Sequence, residues 1–420
     1  MNLLEELDSP GEWYADRKSG ILYFWPPEPI SGDDVVASML TSPMVSISDA
    51  SGITIRDLTF ECGRGAGIIV TGGQHNRIAG CTLRNFGTFA VLINGDAGLG
   101  NPTEGDGGRD NGVVSCNISS CGEGGILLGG GDRRTLVKGR NFAINNDISD
   151  YSRWVWTYRP AIAITGVGNH IANNCIHDAP HMGILLHGND HVIEYNELHH
   201  LCQDTADVGA FYMGRDFTEW GNVVRYNFFH DNGHGDVNDV YLDDCASGTT
   251  VTGNIFYKSG RGVHLGGGRN VTIDNNIFVD CAHAIHADER WFDWKKSEPS
   301  TCDLMLQRFK DMKADQVPWS AQYPELAQIP NDEPGVAKYN QITHNICIGN
   351  WLEIWNGLSE QQLGVKDNFV GGDPKFVNRE QLDFRLQPDS PALKGGFKPI
   401  PTEKIGLQKD EYRALTRAAK

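Results

Sequence analysis

The sequence predicts an all-β protein, a right-handed parallel β-helix of about 11 coils. Three observations predict it: a short phrase recurs along the 420 residues, a second strand in each recurrence alternates with period two, and Gly is abundant at 50 residues.

The phrase is an apolar residue, two variable residues, usually Asn, one variable residue and another apolar residue. It stands at Ile171/Asn174/Ile176, Ile193/Asn196/Leu198, Val224/Asn227/Phe229, Val251/Asn254/Phe256, Ile273/Asn276/Phe278, Ile342/Asn345/Cys347 and Val365/Asn368/Val370. Weaker copies are Ala143/Asn146/Ile148, Val113/Cys116/Ile118, Ile78/Cys81/Leu83 and Ile55/Leu58/Phe60. From Leu58 to Asn368 the middle positions are 22 to 35 residues apart, except for 69 between Asn276 and Asn345. Short strands set that floor, and the turns between them absorb insertions. Asn tolerates bend conformations, and its amide can bond the same amide one coil above and below. The column therefore reads as an internal asparagine ladder, not as a chemical feature.

The second strand places Ile68/Val70, Val91/Ile93, Ile126/Leu128, Ile162/Ile164, Ile184/Leu186, Phe211/Met213, Val240/Leu242, Val263/Leu265 and Ile285/Ala287 inward. All are apolar, as a continuous stack of coils about 4.8 Å apart requires. Around this core, residues 1–45 form an N-terminal segment whose stretch 11–27 reads as an aromatic hairpin turned at 18–20. The β-helix spans 46–390, interrupted at 291–336 by a loop and helix insertion with helical text at 301–313. Residues 391–420 read as a tail that caps the open end.

The bulk numbers exclude some functions. A net charge of −18 opposes nucleic acid as a partner, because phosphate binding needs basic patches. It also opposes a polyanionic sugar unless Ca²⁺ bridges the two. No apolar stretch approaches the about 20 residues of a membrane span. The ten cysteines have no zinc spacing and read as buried thiols, with disulfides an option on export. The start, MNLLEELDSP, has neither the basic nor the apolar part of a signal peptide. The sequence does not give the oligomeric state.

The outward residues of the second strand point to chemistry. They are Ala163/Thr165 in an early coil, then Leu185/His187, Tyr212/Gly214, Tyr241/Asp243, His264/Gly266 and His286/Asp288. Five successive coils thus bring His, Tyr and Asp to one strip, and the flanking turns add Arg215, Asp216, Asp244, Arg269 and Arg290. The connections into this strand lengthen in the middle coils and carry Trp154, Trp156, Tyr158, Arg159, His199, His200, Asp204, Asp207, His230, His234 and Asp236. Long loops beside a polar strip would wall a groove, where aromatic rings can stack on sugars.

The stretch 207–257, with its GRD, YLDD and ASG blocks, resembles bacterial β-helix carbohydrate-active proteins, in particular glycoside hydrolase family 141 and its relatives. The opening GEWYADRKSGILYFWPP and the tail DFRLQPDSPALKGGFKPIP carry the same resemblance, so it covers nearly the whole chain. It implies a pectate-lyase-like solenoid, a secreted or periplasmic enzyme, and α-L-fucosidase or xylanase activity. Relatives carry further N-terminal sequence and an export signal, so a shortened N-terminus is expected here. The resemblance also implies hydrolysis by two aspartates, which its motifs put at Asp207 and Asp244. The strand alternation favours Asp243 as the outward residue, and the choice between the two stays open.

The leading expectation is therefore glycoside hydrolysis, one aspartic acid protonating the leaving oxygen and the other serving as nucleophile or base. His187, Tyr212, Arg215, Asp216, His230, His234, Tyr241, His264, His286, Asp288 and Trp154 would bind the carbohydrate. No metal or other cofactor is expected for it. The alternatives are a Ca²⁺-dependent polysaccharide lyase with Arg215 as base, and a non-catalytic glycan-binding protein; the fold alone does not choose among them.

Overall fold

The computed structural model describes residues 3–31, 35–94, 106–233, 235–290 and 297–413. The chain divides into two units, Met1–Met39 and Leu40–Lys420. In the first, Trp13–Asp16 pairs antiparallel with Ile21–Phe24, the hairpin expected from the aromatic text. The second is the solenoid. Its three parallel sheets each hold 11 strands.

Each coil visits the sheets in turn. Sheet 1 runs from Thr54–Arg56 to Val365–Lys366, sheet 2 from Thr59–Glu61 to Phe369–Val370, and sheet 3 from Val45–Ser48 to Leu352–Ile354. The eighteen inward residues of sheet 3 are each at most 1% exposed. Burying each aliphatic side chain is worth about 1.5–3 kcal/mol, so this column holds the coils in register. Under sheet 2, Phe229, Phe256 and Phe278 stack with ring centroids 5.2 and 4.7 Å apart.

The asparagine ladder lies at the turn between sheets 1 and 2. From Asn146 through Asn174, Asn196, Asn227, Asn254, Asn276 and Asn345 to Asn368, each side-chain NH₂ donates to the next side-chain oxygen at 2.9–3.1 Å. The same oxygens also accept the preceding ladder residue's backbone N–H. One expectation changes in detail. The residue in the left-handed bend is not the ladder Asn but the one before it, for instance Asn145 (φ 62°), Tyr226 (φ 56°) and Gly253 (φ 66°). The ladder residue is left to satisfy amides inside the turn.

A second ladder, not anticipated, stands at the turn from sheet 3 to sheet 1. Backbone N–H groups of Asn76, Asn111, Asn141, Asn169 and His191 donate to the side chains of Asn111, Asn141, Asn169, His191 and Asn222 in the next coils.

Within the insertion, Pro299–Asp311 is helical as expected, followed by a short helix Trp319–Gln322. Met305, Phe309, Trp319 and Leu326 pack on Phe217, Trp220 and Cys245. Arg269, expected beside the groove, instead clamps this insertion: it bonds Asp332 and the carbonyls of Asp332, Glu333 and Val336.

The tail is a lateral strap where an end cap was expected. Lys398 bonds Asn275, Lys404 and Gly406 accept from Asn173, Gln408 bonds Asn145, and Arg413 reaches the Cys116 carbonyl. Those three Asn residues are in the left-handed bends, whose side chains point outward and are free to hold a neighbouring chain. Eight of the ten cysteines are buried, and no disulfide is formed among the described residues. Among the described residues no helix is long and apolar enough to cross a membrane.

Candidate functional site

Strand register determines what meets on the outer face of sheet 3. Leu185 pairs with Tyr212, Tyr212 with Tyr241, Tyr241 with His264, His264 with His286, and His286 with Glu353. Asp288 pairs with Gly266 in the same face. The four strands that carry Tyr212, Tyr241, His264 and His286 have lengthened to six residues, as in Val208–Met213 and Val237–Leu242, against three in Ile126–Leu128. The longer strands carry the strip closer to the loops that precede it.

Arg290 is the hub. Its guanidinium donates to Asp243, to Asp244 at 2.6 Å, to both oxygens of Asp288 at 2.9 and 3.3 Å, and to the Tyr241 hydroxyl at 3.1 Å. Asp243 is 7% exposed, Asp244 2% and Asp288 7%. Burial alone would force these carboxyls neutral; a shared guanidinium lets some ionise. The Tyr212 hydroxyl donates to Asp243 at 2.8 Å, and the Tyr241 hydroxyl to Asp207 at 3.0 Å. Asp207 and Arg215 are exposed, and Arg215 donates to Asp244.

The two neighbouring aspartates are driven apart. Burial raises Asp243, but the Arg290 charge and bonds from Tyr212, Asp244 and Tyr241 outweigh it, so its pKa falls below the usual range. Asp244 is pushed up to about 6, first by burial and then by the charge of Asp243. Burial likewise opposes Asp288, yet bonds from His264 and His286 and the charge of Arg290 hold it far below the ordinary value. Burial moves His264 down to about 4, and its ring sits between Asn238 at 3.1 Å and Asp288 at 3.0 Å. His286 bonds Glu353 at 2.6 Å. Burial first, and then Asp243, raise the hydroxyls of Tyr212 and Tyr241.

The potential ligand atoms of His264, His286 and Asp288 lie within 4.8 Å of one another. A cation does not fit among them. Arg290 already bonds both Asp288 oxygens and comes within 3.3 Å of His264 Nε2, so a fixed positive charge takes that place.

The expected residues divide into three groups. Asp207, Tyr212, Arg215, Tyr241, Asp243, Asp244, His264, His286 and Asp288 form the connected array just described. His187 directly follows the strand Ile184–Leu186, and its Nδ1 is 2.9 Å from the buried Glu219, with which it pairs. Trp154 is 71% exposed in the loop that precedes strand Ile162–Ile164, near Tyr158, whose ring meets Tyr212 edge-on at 6.4 Å.

Two residues belong elsewhere. Asp216 is 5% exposed; its carboxylate accepts from the Thr218 backbone and hydroxyl and pairs with Arg133, so it braces its own turn. His230 ends the sheet 2 strand Phe228–His230, where the alternation that sends Phe229 inward sends His230 out through a different face. His234 lies outside the described residues. Glu353 and Asn238 were not anticipated. The alternation in Leu352–Ile354 carries the signal for Glu353, but the 69-residue gap hides that strand's place in the series.

Among curated proteins none matches the sequence. Three chains among the solved structures match; one, described as the complex structure of XylC with xylose, is 14% identical with a TM-score of 0.37. That match covers 90% of this chain and 66% of the other. The family described as right handed beta helix region matches residues 38–159 and 160–290, more than half of the sequence, and the chain belongs to that family.

Proposed function

We propose that this β-helix is a glycoside hydrolase acting on plant or microbial polysaccharide or oligosaccharide, similar in kind to glycoside hydrolase family 141. The observation that carries the reading is the meeting of carboxyls from two coils at one phenol. The Tyr241 hydroxyl bonds Asp207 and accepts from Arg290, which in turn holds Asp243 and Asp244. In this reading Asp244, protonated below about pH 6, serves as the acid. Exposed Asp207 serves as nucleophile or base, and Asp243 stays ionised as the charge that tunes Asp244. Tyr158, Trp154 and Tyr212 supply rings against which a sugar can stack. Export to the cell exterior or periplasm belongs to the same proposal.

Elimination fits less well. A lyase would use Arg215 as base, but the bond to Asp244 raises the pKa of that guanidinium and makes it a poorer proton acceptor.

The test is release of reducing ends from a panel of plant cell-wall polysaccharides, with and without chelator. Chelator-independent turnover, reduced about 10²–10⁴-fold by Asp207→Asn and by Asp244→Asn, supports the proposal. Full activity in both variants, or an unsaturated product absorbing in the ultraviolet, overturns it.

A further inference from the structure

Sheet 2 carries a second cluster, on a different face from the carboxylate array. Strand register aligns Asp147, Cys175 and Glu197 in one outward column, and Ser149, His177, His199 and His230 in the other. The imidazoles stack: His177 on His199 with centroids 4.9 Å apart and planes 8° apart, His199 on His230 at 4.9 Å and 20°. Each Nε2 turns toward the other column. His177 Nε2 is 3.0 Å from Asp147, His199 Nε2 is 3.7 Å from the Cys175 sulfur, and His230 Nε2 is 3.3 Å from Glu197. Potential ligand atoms of Asp147, Cys175 and His177 lie within 4.8 Å of one another, as do those of Glu197, His199 and His230.

The far side of the rings provides an independent observation. His177 Nδ1 is 2.7 Å from Asp178 and His230 Nδ1 is 2.8 Å from Asp231. A carboxylate on the remaining ring nitrogen is the arrangement that orients metal-binding histidines and raises their basicity. His199 Nδ1 is 2.8 Å from His200 Nδ1; when His199 donates there, its Nε2 keeps a lone pair facing Cys175.

We propose that this ladder binds one divalent transition metal ion, with the Cys175 thiolate and His199 Nε2 at its centre and the flanking imidazoles and carboxylates completing the coordination. Imidazole, thiolate and carboxylate together are the donors of zinc sites, whereas calcium and magnesium take oxygen alone. The site is separate from the array around Arg290 and does not depend on the hydrolase reading.

Isothermal titration of the chelator-treated full chain with zinc chloride, and absorbance with cobalt(II), test it. One zinc per chain and a thiolate-to-cobalt charge-transfer band in the near ultraviolet are expected. Cys175→Ser should abolish the band, and His199→Gln should weaken zinc binding roughly ten-fold or more. His286→Asn, in the other cluster, should leave binding unchanged. Cys175→Ser is nearly isosteric, so it keeps the test alive should His199→Gln fail to fold. Absence of zinc binding at millimolar concentration, or binding that Cys175→Ser leaves unaltered in strength and spectrum, overturns the proposal.

Discussion

The outer column of sheet 3 changes character halfway along. After Ser46 its early rungs are Ile69, Leu92, Leu127, Ala163 and Leu185; the next are Tyr212, Tyr241, His264, His286 and Glu353. Both halves share one backbone register and one aliphatic interior, so the interior does not set the difference. In the early half the outward side chains bury against loop residues, as Leu127 and Ala163 do with Phe89. In the later half a partly buried guanidinium replaces that apolar cover and gathers three aspartates. A solenoid can therefore exchange hydrophobic packing for charge on one face while leaving the opposite side of the same strands untouched.

The largest expected break in that contrast is Arg290→Ala. It would strand Asp243, Asp244 and Asp288 without their common partner, a loss of about 3–5 kcal/mol in urea unfolding. A smaller effect there would show that these carboxyls take up protons without cost. Leu127→Ala, the matching change in the apolar half, should cost about 2–3 kcal/mol and leave turnover on any identified substrate unaltered. Tyr212→Phe removes one bond to Asp243 and should cost about 1–2 kcal/mol, with a larger loss in activity than in stability.

The pH dependence should separate the aspartates. Asp243 and Asp288 lie below their ordinary values, so their stabilisation is present above the unfolded carboxylate pKa of about 4 and lost as pH falls through the folded values. Asp244 runs the other way: its contribution is full below about pH 4 and fades as pH rises through about 6. Unfolding free energies measured from pH 4 to 7 should decline less steeply in Asp244→Asn than in the parent. An unchanged slope would remove Asp244 as the group responsible.

Much of the fold was legible because two periodicities are strict. Alternation named all eighteen inward residues, and the recurring Asn named the ladder. The second ladder was equally present in the text, since Asn76, Asn111, Asn141, Asn169 and Asn222 each precede a sheet 1 apolar residue by two positions. The His191 substitution and the later loss of Asn at Thr249 weaken that pattern. Sheet 3 gave the polar strip, but the centre of the array was harder to find. Arg290 follows the last of the lengthened strands and bonds Asp243 and Asp244, 47 and 46 residues earlier, a contact only coil stacking creates. Asp216 and His230 look alike in text to the residues of the array. What separates them is which of three faces a turn presents, and a turn of variable length does not encode that in its spacing.

The lateral strap has a consequence for cooperativity. In a plain solenoid each repeat feels only its neighbours, so ends fray and damage stays local. Here the segment from Lys398 to Gln408 fastens the coils of Asn275, Asn173 and Asn145 in turn, tying it to rungs 123, 231 and 263 positions earlier in the sequence. The strapped coils should therefore melt together instead of unravelling rung by rung, and they gain these bonds only once residues 398–408 have emerged.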